Sequence, residues 1–369
     1  MKIVKVEAFA IDGPLEKPWK IATATMASLT AVVVRVTAED GTVGVGEAIA
    51  RVGTRVLVSV VEDILKPVVE GKDAFAVEAI WEAMYATLRA RGHTRGFLLE
   101  AMSGVDIAIW DLLGRSLNLP VAQLLGGHGR KQLDAYASSV LIDAPEPMAA
   151  VARELREEGY RAIKLKVAGK LEMDIERVKA VRKAVGDEIT LMLDANSGFD
   201  VVGAIGMARA AEDLGVFWLE EPLYLDNLPG YAQVKRHARV RIAAGEGEFT
   251  AAGFREFIHD GLLDIVQPNV CRCGGFTGGR RIANLAQSYG VPIAPHTGAS
   301  GPLCIAATLQ FAASITGFLT HEHMFLDNSL APIFKEGLPR PRNGVIDVPQ
   351  GPGLGVEVDW EAVDRFRIG

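Results

Sequence analysis

The sequence predicts an α/β fold, a (β/α)8-type barrel preceded by an N-terminal α+β capping domain. From about residue 134 onward, short apolar strands alternate with helical patterns, which is typical of parallel strands joined by crossover helices. A polar residue ends each strand, and successive polar residues are 23 to 28 residues apart, which indicates eight βα units. We expect these residues at the carboxyl-terminal rim, where barrel enzymes build their active sites. In chain order they are Ser138, Lys166, Asp194, Glu220, Glu246, Asn269, His296 and Glu322.

The first 125 residues carry a different pattern, with antiparallel strand signals followed by helices. IVKVEAFAI and LTAVVVRVTA are typical of strands, and the turn EDG closes the second. The later stretch FLLEAMSGVDIAIWDLLGRSL repeats apolar residues at helical spacing. We therefore predict a capping domain over residues 1–125, a barrel over 126–345, and a C-terminal segment, 346–369, that packs back on the capping domain. A doubly wound open sheet is the alternative to the barrel, but no glycine-rich first turn follows DAYASSV.

Composition and charge exclude several classes of function. The 369-residue chain has a formal net charge of −7 and no block of like charge, so we expect neither nucleic acid nor an anionic membrane as a partner. No apolar run is long enough to span a bilayer, and the first residues resemble a strand more than a signal peptide. Cys271, Cys273 and Cys304 form neither a disulfide framework nor a zinc motif, and we interpret them as buried thiols of a cytoplasmic protein.

Three of the rim residues are carboxylates on consecutive predicted strands. Asp194, Glu220 and Glu246 would repel one another unless a cation lay between them. Their oxygen-only character favours Mg²⁺ over Zn²⁺. In the pair Glu220-Glu221 we assign the inward position to Glu220, because the strand FWLE leads straight to it. A helix cap or a surface ion pair would explain one such carboxylate, but it is a poor explanation for three in register.

Two lysines and a histidine complete the predicted site. Lys164 and Lys166 flank Leu165 in AIKLKV, and the alternation of side chains along a strand directs both to the same side, toward the barrel interior. Buried lysines need anionic partners, which the three carboxylates supply. His296, in IAPHTG, is expected on the opposite side of the metal. The alternatives are a solvated edge strand for the lysines and a structural role for the histidine.

Taken in order, the motifs AIKLKV, LMLDAN, WLEEP, AAGE, DIVQPN and APH resemble the mandelate racemase subgroup of the enolase superfamily. The match covers essentially the whole chain and implies a modified, (β/α)7β barrel. It also implies that Asp194, Glu220 and Glu246 hold Mg²⁺. In this family the ion stabilises an enediolate, which forms when the proton α to a carboxylate is removed.

The resemblance implies roles for further rim residues. It makes Lys166 the base on one face of the substrate and Lys164 a stabiliser of the substrate carboxylate. His296 takes the acid/base position on the other face. Glu322 takes a hydrogen-bonding position near the nascent enolate, and Asn196 corresponds to a further polar position at the site.

One rim position departs from the pattern of the subgroup. Many members pair the histidine with an aspartate of the preceding strand, and this chain has Asn269 there. An amide cannot supply the negative charge that stabilises an imidazolium. We therefore expect Asn269 to favour one-way elimination over racemisation.

These observations predict a Mg²⁺-dependent lyase that dehydrates a sugar acid, or that carries out a lactone β-elimination or cycloisomerisation. A racemase or epimerase of a 2-hydroxy acid is the first alternative, and a non-catalytic sugar-acid binding protein is the second. Substrate choice is expected to come from the capping domain, in KPWKIATATM and AIARVGTR. There Lys20 and Arg51 are candidates to contact a distal carboxylate or hydroxyl. We expect the protein to be a homo-oligomer.

Overall fold

The computed structural model describes residues 1–127 and 129–368. His128 belongs to the stretch LLGGHGR, in which we predict the capping domain to end, and Gly369 ends the predicted C-terminal segment. Both lie outside the described residues. Within the described residues, no helix combines the length and the apolar character needed to cross a membrane.

An antiparallel sheet and a group of helices form the N-terminal part of the chain. The sheet has the order β1 (Ile3–Lys20), β2 (Thr25–Ala38) and β3 (Val43–Ile49). A side chain at Gly44 or Gly46 would collide with the backbone of the longest helix, so these glycines allow that helix to pack closely on β3. The helices are α1 (Thr54–Ser59), a π-helical turn (Val60–Leu65), α2 (Lys66–Val69), α3 (Val77–Arg89), α4 (Phe97–Leu117) and α5 (Val121–Leu124).

Parallel strands and crossover helices form the barrel, and β10 closes it by pairing with β4. The strands are β4 (Gln132–Val140), β5 (Ala162–Lys166), β6 (Thr190–Asp194), β7 (Val216–Glu220), β8 (Arg241–Ala244), β9 (Ile265–Val266) and β10 (His321–Met324). The helices between them are α6 (Pro145–Glu157), α7 (Leu171–Val185), α8 (Val201–Asp213), α9 (Leu228–His237), α10 (Thr250–His259), α11 (Gly275–Ser288) and α12 (Pro302–Ser314). The structure confirms a capping domain followed by a (β/α)7β-type barrel.

The seventh barrel position is reduced to one residue. Ile293 forms parallel bridges to Val266 on one side and to Phe318 on the other, where the sequence predicts a longer strand, VPIAPH. Pro292 and Pro295 flank this residue closely. Because proline has no backbone N–H, neither can donate a ladder hydrogen bond, and the strand stays short.

The last segment of the chain contacts both parts of the molecule. Strand β11 (Val345–Asp347) pairs antiparallel with β4, and helix α13 (Trp360–Phe366) follows. The backbone N–H of Ile368 donates to the carbonyl of Ala10 in β1 at 2.9 Å. The end of the chain therefore lies against the N-terminal sheet, while the domain boundaries themselves remain predictions.

Buried carboxylates of the N-terminal part bind the N-termini of two barrel helices. Glu47, at 1% exposure, accepts hydrogen bonds from the backbone N–H groups of Gly301 (2.8 Å) and Cys304 (3.0 Å) at α12. Asp106 in α4 accepts one from Thr277 in α11 at 3.0 Å. A carboxylate at a helix N-terminus satisfies orphan donors and complements the helix dipole. These contacts fix the sheet and α4 against the helices that follow the seventh and sixth barrel positions.

Candidate active site

The carboxylates of Asp194, Glu220 and Glu246 converge at the rim of the barrel. One oxygen from each lies within 4.8 Å of the other two. Asp194 and Glu220 end the neighbouring strands β6 and β7 and pair in register, and Glu246 lies just beyond β8. Because every donor in the cluster is a carboxylate oxygen, the cluster fits a hard divalent cation such as Mg²⁺.

Lys164 and Lys166 reach this cluster from β5, yet their surroundings differ. The Nζ of Lys164 is fully buried and donates to both oxygens of Glu220 (2.7 and 2.9 Å) and to Glu322 (2.8 Å). Burial alone would lower the pKa of Lys164, but Glu220 and Glu322 hold it well above its usual value. The two carboxylates therefore favour the charged form of Lys164. Lys166 pairs with Asp194 and lines the pocket, where it can contact a ligand directly.

Glu322 links the lysine side of the site to the histidine side. Besides Lys164, it accepts hydrogen bonds from the hydroxyl of Ser138 (2.7 Å) and from the backbone N–H groups of Thr297 (2.7 Å) and Gly298 (2.8 Å). Burial opposes ionisation, yet the charge of Lys164 and the hydrogen bonds from Lys164 and the backbone of Thr297 hold the pKa of Glu322 well below its usual value. The ionised carboxylate thus anchors the loop that follows His296.

The hydrogen bonds around His296 assign its tautomer. Its Nδ1 lies 3.0 Å from the amide nitrogen of Asn269, whose oxygen accepts the backbone N–H of Cys271 at 2.9 Å. A backbone N–H can only donate, so the amide must present its NH₂ group to Nδ1, which then accepts. On the other side, Nε2 lies 2.9 Å from Glu246. We assign the neutral tautomer with its proton on Nε2, directed into the site.

The pocket above the cluster is closed and takes its walls from both parts of the chain. Its free space is about 30 Å³, enough for a water or two but too little for a sugar acid. Ile21, directly after β1, and Met26 in β2 lie over the pocket, while Ala299 and Met324 belong to the barrel. A sugar acid therefore needs more space than this arrangement of the walls provides.

The structure places five of the predicted site residues in the walls of this pocket, and five more lie in the hydrogen-bond network around the carboxylate cluster. Asn196 and Arg51 line the pocket together with Lys166, Glu246 and His296. Lys20 is exposed and lines a neighbouring groove on the surface, so the structure does not bring it to the pocket. The separation arises because β1 ends at Lys20, before the segment that covers the pocket.

Several residues of the site went unpredicted. Met26, Ser139 and Gly298 line the pocket. Met26 lies in KPWKIATATM and Gly298 in IAPHTG, but nothing in those stretches singles out either residue. Glu221 is buried beside the cluster, although we assigned the inward position to Glu220 alone. Burial, followed by the charges of Glu246 and Asp194, raises the pKa of Glu221 well above its usual value. The doubled glutamate before a proline was the only available signal for it.

Comparison with known families gives matches to both parts of the chain. Residues 4–126 match the N-terminal domain of mandelate racemase and muconate lactonizing enzymes. Residues 147–363 match the enolase C-terminal domain-like family. Together the two matches include the site residues described above except Ser138 and Ser139, which lie between the two matched ranges.

Individual relatives are similar along their full length. A D-galactarolactone cycloisomerase of Agrobacterium fabrum is 35% identical, with 100% of this chain and 99% of that protein covered. An arabinonate dehydratase of Saccharolobus solfataricus is 33% identical, with 98% and 94% covered. The crystal structure of a racemase from Streptomyces coelicolor A3(2) with bound magnesium superposes with a TM-score of 0.91 at 30% identity, covering 99% of this chain and 100% of that one.

Proposed function

This chain belongs to the mandelate racemase/muconate lactonizing enzyme family of the enolase superfamily, and we propose that it is a Mg²⁺-dependent sugar-acid lyase. The proposed reaction removes the proton α to a carboxylate and eliminates the oxygen on the β-carbon. Relatives that are named as a sugar-acid dehydratase and a lactone cycloisomerase support this class of reaction.

The observation that carries the proposal is the asymmetry of the two groups suited to proton transfer. Lys166 offers an amine that lines the pocket next to Asp194. His296 offers an Nε2–H, because Asn269 occupies its other nitrogen as a donor. An elimination needs one group that takes a proton and another that donates a hydrogen bond to the leaving oxygen. This pair supplies both functions.

In the proposed mechanism, Asp194, Glu220 and Glu246 hold Mg²⁺, which supplies positive charge next to the substrate carboxylate when bound. Lys166 Nζ takes the α-proton, and the electron pair of the C–H bond moves into the carboxylate. The charged form of Lys164 stabilises the charge that develops there. The bond from the β-carbon to its oxygen then breaks with its electron pair on that oxygen, which accepts the hydrogen bond of His296. A hydroxide leaving group takes a proton from solvent and departs as water, whereas a lactone oxygen leaves as a carboxylate and takes none. Lys166 returns the α-proton to solvent. The resulting enol becomes a 2-keto-3-deoxy acid.

A racemase is the second candidate, because a solved relative with bound magnesium is named a racemase. Racemisation needs a base on each face of the substrate. Nε2 of His296 carries a proton in the assigned tautomer, and protonation of Nδ1 would place an N–H against the NH₂ group of Asn269. This repulsion favours elimination over racemisation.

The first prediction tests the proposal through Lys166. With Mg²⁺ present, a panel of sugar acids should include one that yields an α-keto product and that exchanges its α-proton in D₂O. Lys166→Ala should lower both rates by about 10²- to 10⁴-fold, the usual contribution of a general base. Chelation of the metal should abolish both. Proton NMR and a keto-acid assay provide the measurements.

The control for this experiment is Lys183→Ala, which removes an exposed lysine of α7 away from the site. It should leave both rates unchanged. Wild-type exchange rates in Lys166→Ala would assign the base elsewhere, and activity in metal-free protein would refute the Mg²⁺ dependence.

A further inference from the structure

Arg51 projects from the capping domain into the pocket. It lies just after β3, and its Nη2 donates to the carbonyl of Gly298 at 2.8 Å. Its Nη1 contacts the sulfur of Met26 at 3.8 Å, a weak acceptor. Gly298 follows His296 by two residues, so the guanidinium lies on the histidine side of the pocket, where the leaving group of the proposed reaction would lie.

The charge of Arg51 lacks a carboxylate partner. Within the described part of the chain, no carboxylate oxygen lies within 4.0 Å of the guanidinium, whereas Lys166 pairs with Asp194. Glu246 and Glu322 act on this charge only from a distance, and they are engaged by His296 and Lys164.

A guanidinium stays protonated in proteins, and burial away from water makes its charge costly unless an anion pairs with it. Arg51 is half-buried in this structure, and its partial loss of water lowers the pKa of its guanidinium. Its fork of N–H donors matches the two oxygens of a carboxylate. The cation is thus held in place by one carbonyl and still offers donors to a ligand.

We propose that Arg51 binds a second carboxyl group, at the end of the substrate remote from the proton that Lys166 removes. The substrate is accordingly a sugar diacid (an aldarate) or its lactone, and not the aldonate, which ends in a hydroxymethyl group. This inference rests on the proposed function, which fixes the first carboxylate at Lys164 and the metal cluster. A second carboxylate there would be a poor fit, because that end of the site already holds its own anions.

The position of Arg51 has a particular consequence for a lactone. When Lys166 takes the α-proton, the bond between the β-carbon and the ring oxygen breaks, and its electron pair stays on that oxygen. The ester thereby becomes a carboxylate, and no proton is needed at the leaving group. Arg51 would stabilise the charge that appears on this carboxylate. The interaction between Arg51 and the leaving oxygen is therefore stronger in the transition state than in the ground state.

The experiment compares galactarate and its monolactone with galactonate, which differs from galactarate by a hydroxymethyl group in place of one carboxylate. Turnover is measured for the wild type, Arg51→Gln, Arg51→Lys and Arg55→Gln. Arg55 is the matched control, an exposed arginine four residues further along the same segment. Binding of galactarate is measured separately in the Lys166→Ala background, with and without Arg51→Gln, so that affinity is read without chemistry.

We expect wild-type kcat/KM to be higher for the diacid or its lactone than for galactonate. Arg51→Gln should lower kcat/KM by roughly 30- to 300-fold for the diacid compounds, because one partner of a hydrogen-bonded charge pair is lost, and by no more than about tenfold for galactonate, which loses only the contact of Arg51 with the loop. The Kd of galactarate should rise correspondingly. Arg51→Lys should recover part of the loss, and Arg55→Gln should behave as wild type.

Two results separate this inference from the function on which it rests. If galactonate or another aldonate is dehydrated at least as well as the diacids, and Arg51→Gln affects both alike, the second-carboxylate site is refuted while the lyase stands. If no sugar acid of either kind exchanges its α-proton, the lyase itself is refuted. Thermal unfolding of Arg51→Gln at the wild-type temperature excludes misfolding as the cause of a loss.

Discussion

Asn269 holds two neighbours at once, the backbone N–H of Cys271 through its oxygen and the ring of His296 through its nitrogen. The aspartate that is common at this position would accept from both, and its charge would favour a protonated ring. The amide instead leaves Nδ1 as an acceptor and the proton on Nε2. One atom in the side chain of residue 269 thus changes His296 from a group that can take a proton into one that donates a hydrogen bond.

The second prediction follows from this residue. Asn269→Asp should favour the imidazolium, so any limb of the pH–rate profile that depends on His296 should move to higher pH. The same variant should gain α-proton exchange on the His296 face of the substrate. The profile of kcat/KM between pH 5 and 9 measures the first effect, and stereospecific exchange in D₂O measures the second.

The control is Asn118→Asp, which adds the same charge at an exposed position beyond the end of α4. Its profile should match the wild type. If Asn269→Asp leaves the limb in place, or if His296→Gln retains the limb, the assigned tautomer does not govern the reaction.

At the scale of elements, the regular spacing of polar residues was sufficient to predict the barrel. It also predicted that Asp194, Glu220 and Glu246 lie close together, because every parallel strand of a barrel contributes its carboxyl end to the same rim. The capping residues could not be predicted in the same way. Lys20 and Arg51 both lie in polar segments, but which of them reaches the pocket depends on how β1 and β3 dock on the barrel. That docking is set by packing between distant parts of the chain.

One such contact joins β3 to α12 through Glu47. The carboxylate is buried and accepts the N–H groups of Gly301 and Cys304, at the end of the loop that begins with His296. Glu322 holds the start of the same loop through Thr297 and Gly298. The loop is therefore fixed at both ends, and one of the two anchors belongs to the capping domain.

The third prediction concerns this anchor. Glu47→Ala leaves buried backbone donors without a partner and should lower the free energy of unfolding by about 2–3 kcal/mol. Because the loop positions His296 and the Arg51 contact at Gly298, kcat should also fall, by roughly tenfold. Urea denaturation and steady-state kinetics provide the measurements. Glu16→Ala, at an exposed glutamate of β1, is the control, and equal stability of the two variants would contradict the anchoring role.

The stability of the whole molecule depends on pH through buried carboxyl groups. These groups belong to the capping domain and accept hydrogen bonds from barrel helices. Asp106 in α4 is 1% exposed, and only one of its oxygens accepts a hydrogen bond, from Thr277 in α11. Burial raises its pKa to about 7 in the folded protein, against 3.8 as the ordinary value. Its protonated form is thus favoured by folding, because the neutral acid loses less hydration than the carboxylate would.

The last prediction is the pH dependence that results. Between pH 4 and 7 the folded protein keeps a proton on Asp106 that the unfolded chain has lost, so the free energy of unfolding falls as the pH rises through this window. Above about pH 7 both states are ionised and this contribution has been lost, as much as roughly 4 kcal/mol in total. Asp106→Asn does not titrate, and its NH₂ group can occupy the position of the oxygen that lacks a partner. The variant should therefore show a shallower decline of its urea midpoint from pH 5 to 8 and should be more stable than the wild type at pH 8. Parallel declines in the two proteins would mean that Asp106 is ionised throughout this range, and the pH dependence would then have to come from other groups of the interface.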